Sequence, residues 1–168
     1  GPVSLPTPRG VQRVNVKSAR EMLAASVDAA QTATVFVATA AVADWRPATQ
    51  ANHKIKKDGS GQAPLLQFTE NPDILHTIAQ GERARSGQLF CVGFAAESQD
   101  LVNNAQAKRA RKGIPLLVGN IGPLTFGQDD NEMLLVDAAG VQPLPRAPKL
   151  VLARKLIAEI ARRMRAAA

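Results

Sequence analysis

Residues 89–120 read LFCVGFAAESQDLVNNAQAKRARKGIPLLVGN, and this stretch decides the fold. Leu89–Ala95 is an apolar run of strand length. Asp100–Lys112 follows at helical length. Its last turns collect Lys108, Arg109, Arg111 and Lys112, where cations meet the carbonyl end of the helix dipole, and Gly113 stands as the stop. Pro115–Asn120 is a further apolar run. A strand, a helix and a second strand in this order form a crossover unit, which predicts parallel pairing.

The pattern extends outward. Upstream, Thr34–Ala40 reads as a strand buried on both faces, as parallel sheets require. Ser18 precedes Glu21 by three positions, a capping box that predicts a helix from Ala19 to Gln31 with Met22, Ala25, Val27 and Ala29 inward. The alternation of Val11–Val16 predicts a short strand, and residues 1–10 a loop. Ala41–Asn52 reads as a loop holding the only tryptophan, Trp45. Asp58–Gly61 reads as a flexible turn and Leu65–Thr69 as a short strand. In Asn71-Pro72-Asp73, asparagine suits an N-cap and proline the first helical position, so a helix is expected from there to about Gln80. Downstream, Gly122–Asp130 is a loop, Glu132–Asp137 and Val141–Pro143 form a hairpin around Ala139-Gly140, and Lys149–Met164 is an amphipathic helix. The whole reads as an α/β fold with a mainly parallel sheet and crossover helices.

The bulk properties narrow the function classes. With 168 residues and 45% hydrophobic content, a single domain over 1–168 is expected; at 4% aromatics its core must be mostly Ala, Val, Leu and Ile. No stretch approaches the roughly 20 apolar residues that span a bilayer, so no membrane partner is expected. The first ten residues lack an apolar signal core, and no targeting peptide is read there. One cysteine, Cys91, allows no internal disulfide and suits a cytoplasmic setting. His53, His76 and Cys91 have no zinc spacing, so a metal held by protein alone is not expected. The net charge of +7 favours an anionic partner. Basic residues gather at Lys54–Lys57, Lys108–Lys112 and Arg162–Arg165, each of which also reads as a solvated surface. A nucleic-acid-binding module would account for the charge. The chain has no recognition motif, no tyrosine and few rings for stacking, so no nucleic acid is expected. Gly119 and Gly122 lack the strand–turn–helix context of a nicotinamide site.

Six segments, in order and spacing, carry a resemblance: GPVSLPTP at 1–8, AAVADWRP at 40–47, KIKK at 54–57, ENPDIL at 70–75, VGFAAES at 92–98 and KRARKG at 108–113. Together they resemble the ligase part of bacterial phosphopantothenoylcysteine synthetase, across nearly the whole chain. The resemblance implies a Rossmann-like sheet and a two-step reaction. The carboxylate of 4'-phosphopantothenate attacks the α-phosphorus of CTP, giving an acyl-cytidylate and pyrophosphate. The amine of cysteine then displaces CMP. It further implies Mg2+ with the triphosphate, ligase domains paired as homodimers, and in most bacteria a fused flavin (FMN) decarboxylase domain outside these residues.

The candidate site residues follow. Ala38, Thr39 and Ala40 end a strand, where small side chains allow close backbone approach to a base or ribose. Asp44 can accept hydrogen bonds from a sugar hydroxyl or base amine; a tight turn with a solvated carboxylate is the other reading. Pro72, Asp73, Ile74 and Leu75 form a helix start that is either an anion site or a plain cap. Phe94 can pack on a cytosine or simply fill core. Lys108 and Lys112, four apart, share a helix face and make a two-pronged phosphate clamp, while Arg109 and Arg111 read as solvated. The resemblance places all of these on CTP. It also assigns Lys54 to CTP binding and turnover, in a loop that closes over the site. Without the resemblance, KIKK reads as a charged edge. The family's first βαβ unit, with a glycine-rich turn and an asparagine that acts on the acyl-cytidylate, has no match here. The expectation is a sheet lacking that unit, and an isolated chain that binds nucleotide with little ligase activity.

Overall fold

The computed structural model describes residues 3–49, 51, 53–57, 59, 61–97, 100–121, 125 and 127–167. Asp58 and Ser60 of the expected turn, Asn52, Ser98 and most of the 122–126 loop lie outside them.

The capping box forms. Ser18 Oγ accepts the Glu21 N–H at 3.2 Å, and the Glu21 carboxylate accepts the Lys17 N–H at 2.7 Å, starting α1 (Ala19–Ala30). Its inward stripe is Met22, Leu23 and Ala30; Val27 and Ala29 face solvent instead. Then come β1 (Val35–Ala38), β2 (Trp45–Pro47), β3 (Phe68–Glu70), α2 (Ile74–Ala79), α3 (Glu82–Arg85), β4 (Phe90–Glu97), α4 (Leu101–Lys112), β5 (Leu116–Ile121), β6 (Asp130–Val136), β7 (Val141–Pro148) and α5 (Lys149–Ala167).

A five-stranded sheet has the order β1-β4-β5-β6-β7. β1, β4 and β5 are parallel, with Ala38 opposite Gly93 and Val92 opposite Leu116. α4 makes the crossover that residues 89–120 predict, and Gly113 ends it at φ 67, a left-handed conformation cheap only for glycine. β6 and β7 are antiparallel, so the sheet is mixed. β7 lies at an edge, where Pro143, Pro145 and Pro148 cost no inner ladder bonds. The turn between β6 and β7 is tied by Asp137, whose carboxylate accepts the Ala139 and Gly140 N–H groups and pairs with Arg163 of α5.

Alternation along each strand divides the core. Cys91, Ala95, Leu117 and Val136 point to the side covered by α1, α2 and α4, with Ile74, Leu75 and Ile78 packed on them. Val92, Leu116, Val118, Leu135 and Leu144 point to α5, which answers with Leu152, Leu156 and Ile160 at a four-residue spacing. Burial pushes the Cys91 thiol up to about 11, so it is an unreactive core group.

Three expectations are corrected. Val11–Val16 forms no strand: it has the alternation but, among the described residues, no strand to pair with, and Val11 and Val14 are exposed. The Trp45 region is not all loop, because Trp45–Pro47 pairs antiparallel with Phe68–Glu70 as a separate two-stranded ribbon. α2 begins later than expected. Asp73, not Asn71, is its N-cap and accepts the His76 N–H at 2.9 Å. Pro72 biases the residue before it away from helical angles, which moves the cap forward.

Gly93 lies beneath α2. A Cβ there would stand 2.7 Å from Leu75 Cδ2, 2.7 Å from Ile114 Cδ1 and 3.2 Å from Leu117 Cδ1. Gly93→Ala is therefore expected to cost about 1–3 kcal/mol by overpacking. Urea denaturation checks this; a loss below about 0.5 kcal/mol would show that Leu75 and Ile114 yield freely.

Candidate functional site

Where a helix lies close on parallel strands, their carboxyl ends open into a crevice. Here the crevice is a cavity of about 790 Å³ at the carboxyl end of β1, beside Phe94 of β4. Its walls are residues 36–40 and 42–45, residues 70–75, Met22 and Ser26 of α1, Phe94, and Lys108, Arg111 and Lys112 of α4. Ala38, Thr39, Ala40, Asp44, Pro72, Asp73, Ile74, Leu75, Phe94, Lys108 and Lys112 thus all line one space.

Lys54 does not line it. The described residues 53–57 lie in the connection between β2 and β3, and Lys54 is exposed. Phe94 does two things: it packs against the α5-side core and borders the cavity from midway along β4, which runs on to Glu97 rather than ending at Phe94.

The cationic wall is larger than the two lysines. Lys108, Arg111 and Lys112 sit at i, i+3 and i+4, so they share a face of α4, and Arg111, exposed as expected, also lines the cavity. The i+3 spacing was the available signal. Arg109, by contrast, is not solvated as expected; it is half-buried, and its guanidinium donates to the Ile114 carbonyl at 3.1 Å. Both lysines meet carboxylates. Lys112 pairs with Asp73, which joins α4 to the cap of α2, and Lys108 lies 4.0 Å from Glu97. Partial burial pushes the Asp73 carboxyl up, but the Lys112 ammonium and the His76 N–H outweigh it and hold it below the usual carboxylate range.

Opposite these cations runs the loop of residues 39–44. Asn71, missed as a site residue by sequence reasoning, fastens it. Its backbone N–H donates to the Asp44 carbonyl at 2.7 Å. Its side-chain amide donates to the Ala43 carbonyl at 2.8 Å and the Trp45 carbonyl at 3.4 Å, and its Oδ1 accepts from Arg46 at 3.4 Å. Arg46 also donates to the Glu70 carbonyl. The cavity is therefore lined by the three α4 cations, by the carboxylates Asp44, Glu70 and Asp73, and by the small residues 38–40. That is a suitable frame for an anion joined to a hydrogen-bonding ring or sugar.

Against known proteins, the model of the DNA/pantothenate metabolism flavoprotein C-terminal domain matches residues 1–164. The chain belongs to that family. Among its relatives, the Coenzyme A biosynthesis bifunctional protein CoaBC of Escherichia coli (strain K12) is 40% identical over 167 residues, which is 97% of this chain and 40% of the relative. The protein of the same name from Vibrio cholerae is 40% identical over 156 residues, 91% of this chain and 38% of the relative. The chain thus spans about two fifths of the curated relatives it matches. Among solved structures, the C-terminal domain of CoaBC superposes with a TM-score of 0.73 at 28% identity, covering 95% of this chain and 69% of that one. A Cab2 mutant in complex with phosphopantothenate-cysteine shares the fold at a TM-score of 0.59 and 19% identity, over 77% of this chain and 44% of that one. These findings bear out the α/β, Rossmann-like reading and the family resemblance. No helix of the described residues is long and apolar enough to cross a membrane.

The Asp73–Lys112 pair gives a test with a defined sign. A carboxyl held low stabilises the fold above its unfolded value of about 3.9, and that contribution is lost as pH falls through the folded value. A double-mutant cycle of Asp73→Asn and Lys112→Met, read by urea unfolding, should give a coupling of about 1 kcal/mol at pH 7 that shrinks as pH falls below about 3.9. A coupling unchanged in acid would mean that the pair is not electrostatic.

Proposed function

We propose that this chain is the CTP-binding portion of a phosphopantothenate–cysteine ligase of coenzyme A synthesis. The observation that carries the proposal is the meeting in one cavity of the Lys108, Arg111 and Lys112 face, the Asp44 loop and the small residues 38–40, in a chain of this family. The α4 cations would take the triphosphate, exchanging Asp73 and Glu97 for phosphate oxygens. Asp44 and the backbone of Ala38–Ala40 would hold the sugar or base, with Phe94 against the cytosine.

The reaction needs two displacements. The carboxylate of 4'-phosphopantothenate attacks the α-phosphorus and pyrophosphate leaves. The cysteine amine then attacks the acyl carbon and CMP leaves. Charge builds on the phosphoryl oxygens in the first transition state, and an ammonium placed there lowers the barrier more than it aids binding. Lys54 would supply it by closure of its loop over the cavity. Mg2+ would reach the site on the triphosphate and offset part of its charge. Among the described residues no group of three or more carboxylate, His or Cys side chains is placed to hold it, so its ligands would come mainly from triphosphate oxygens and water.

The same role implies a cytoplasmic enzyme and a homodimer of ligase domains. Any FMN would belong to a fused decarboxylase domain outside these residues.

Titration with CTP, ATP, GTP, NAD and duplex DNA tests the proposal. CTP should bind selectively, and Lys108→Ala or Lys112→Ala should each weaken it by about tenfold or more. Lys54→Ala should lower kcat in the full-length enzyme more than it weakens binding. Tighter binding of duplex DNA, or CTP binding untouched by the α4 substitutions, would sink this reading.

A further inference from the structure

Asn71 has no task in starting α2, since Asp73 caps that helix. Its own hydrogen bonds run to the cavity loop. The ribbon ladder ends with Trp45 opposite Glu70, and the next bond is Asn71 N–H to the Asp44 carbonyl. Pro72 keeps Asn71 out of helical angles, so the backbone stays extended and the ladder gains this step. The side-chain amide then reaches beyond the ladder. It donates at 2.8 Å to the Ala43 carbonyl, one residue before Asp44, and at 3.4 Å to that of Trp45, one after. The carbonyls on both sides of residue 44 are thereby held by one side chain, and that of Asp44 itself by the Asn71 backbone.

We propose that Asn71 is the positioning residue for Asp44, orienting its carboxylate toward the sugar or base end of the bound nucleotide while the α4 cations act independently on the phosphates. This rests on the reading that Asp44 contacts the nucleotide. Two amide donors of fixed geometry do the holding, so a side chain of equal size without donors cannot replace it. Asn71→Asp is that side chain: it presents carboxylate oxygens to two carbonyls and repels them.

The experiment uses the full chain and the variants Asn71→Ala, Asn71→Asp, Asp44→Ala and the double Asp44→Ala/Asn71→Ala. CTP and inorganic pyrophosphate are titrated against each. Trp45, the only tryptophan of the 168 residues, follows the loop by fluorescence anisotropy without any ligand. Both Asn71 variants should bind CTP about tenfold more weakly, leave pyrophosphate binding unchanged within about twofold, and lower the Trp45 anisotropy. In the Asp44→Ala background, Asn71→Ala should cost less than about twofold more, because the group it positions is gone. Thermal midpoints confirm that the variants fold, and Asn71→Asp keeps the side-chain volume should the alanine variant fail to.

Three outcomes overturn the proposal alone: additive losses in the double variant, wild-type binding by Asn71→Asp, or an equal loss of pyrophosphate binding. An Asp44→Ala variant that binds CTP like wild type instead defeats the Asp44 reading, and this proposal falls with it.

Discussion

The closest steric constraint lies at Gly93, in the middle of β4. With no Cβ there, Leu75 of α2, Ile114 and Leu117 meet over the strand. α2 is only six residues long and could not hold itself in place by backbone bonding. It is held by burying Ile74, Leu75 and Ile78 on this surface. Docking α2 brings residues 70–73 to the end of β1, since Gly93 is the register partner of Ala38. The cavity exists because those two segments meet there.

Charge is arranged on that frame. Three cations on one helix face would repel one another in an empty cleft. Asp73 and Glu97 each stand beside one of the lysines. Those carboxylates offset part of the repulsion among the cations. The half-buried Arg109 is spent on the Ile114 carbonyl, where α4 turns into β5, so it fixes the helix rather than the ligand.

Much of the fold was legible in local pattern. The capping box at Ser18 and Glu21, the basic end of α4 with Gly113, and the apolar runs of β4 and β5 each involve neighbours in the chain. Failures occurred where partners are distant. Val11–Val16 has a strand's alternation and no partner. Trp45–Pro47 has little strand pattern, and pairs because Phe68–Glu70 lies alongside. Asn71 has the composition of an N-cap, but its donors found carbonyls 26 and 28 positions earlier in the chain.

The sequence by itself determined the family, the parallel β–α–β unit, and which side chains carry the candidate chemistry. All three follow from residue type and short-range spacing, which survive in a linear string. Tertiary structure alone decided that the segments at 38–44, 70–75 and 94 and the cations of α4 share one cavity, that Arg111 joins it while Lys54 does not line it, and that Asn71 serves the Asp44 loop. Those outcomes depend on where a small strand residue lets a helix settle, and on which buried or half-buried polar groups find partners across the chain.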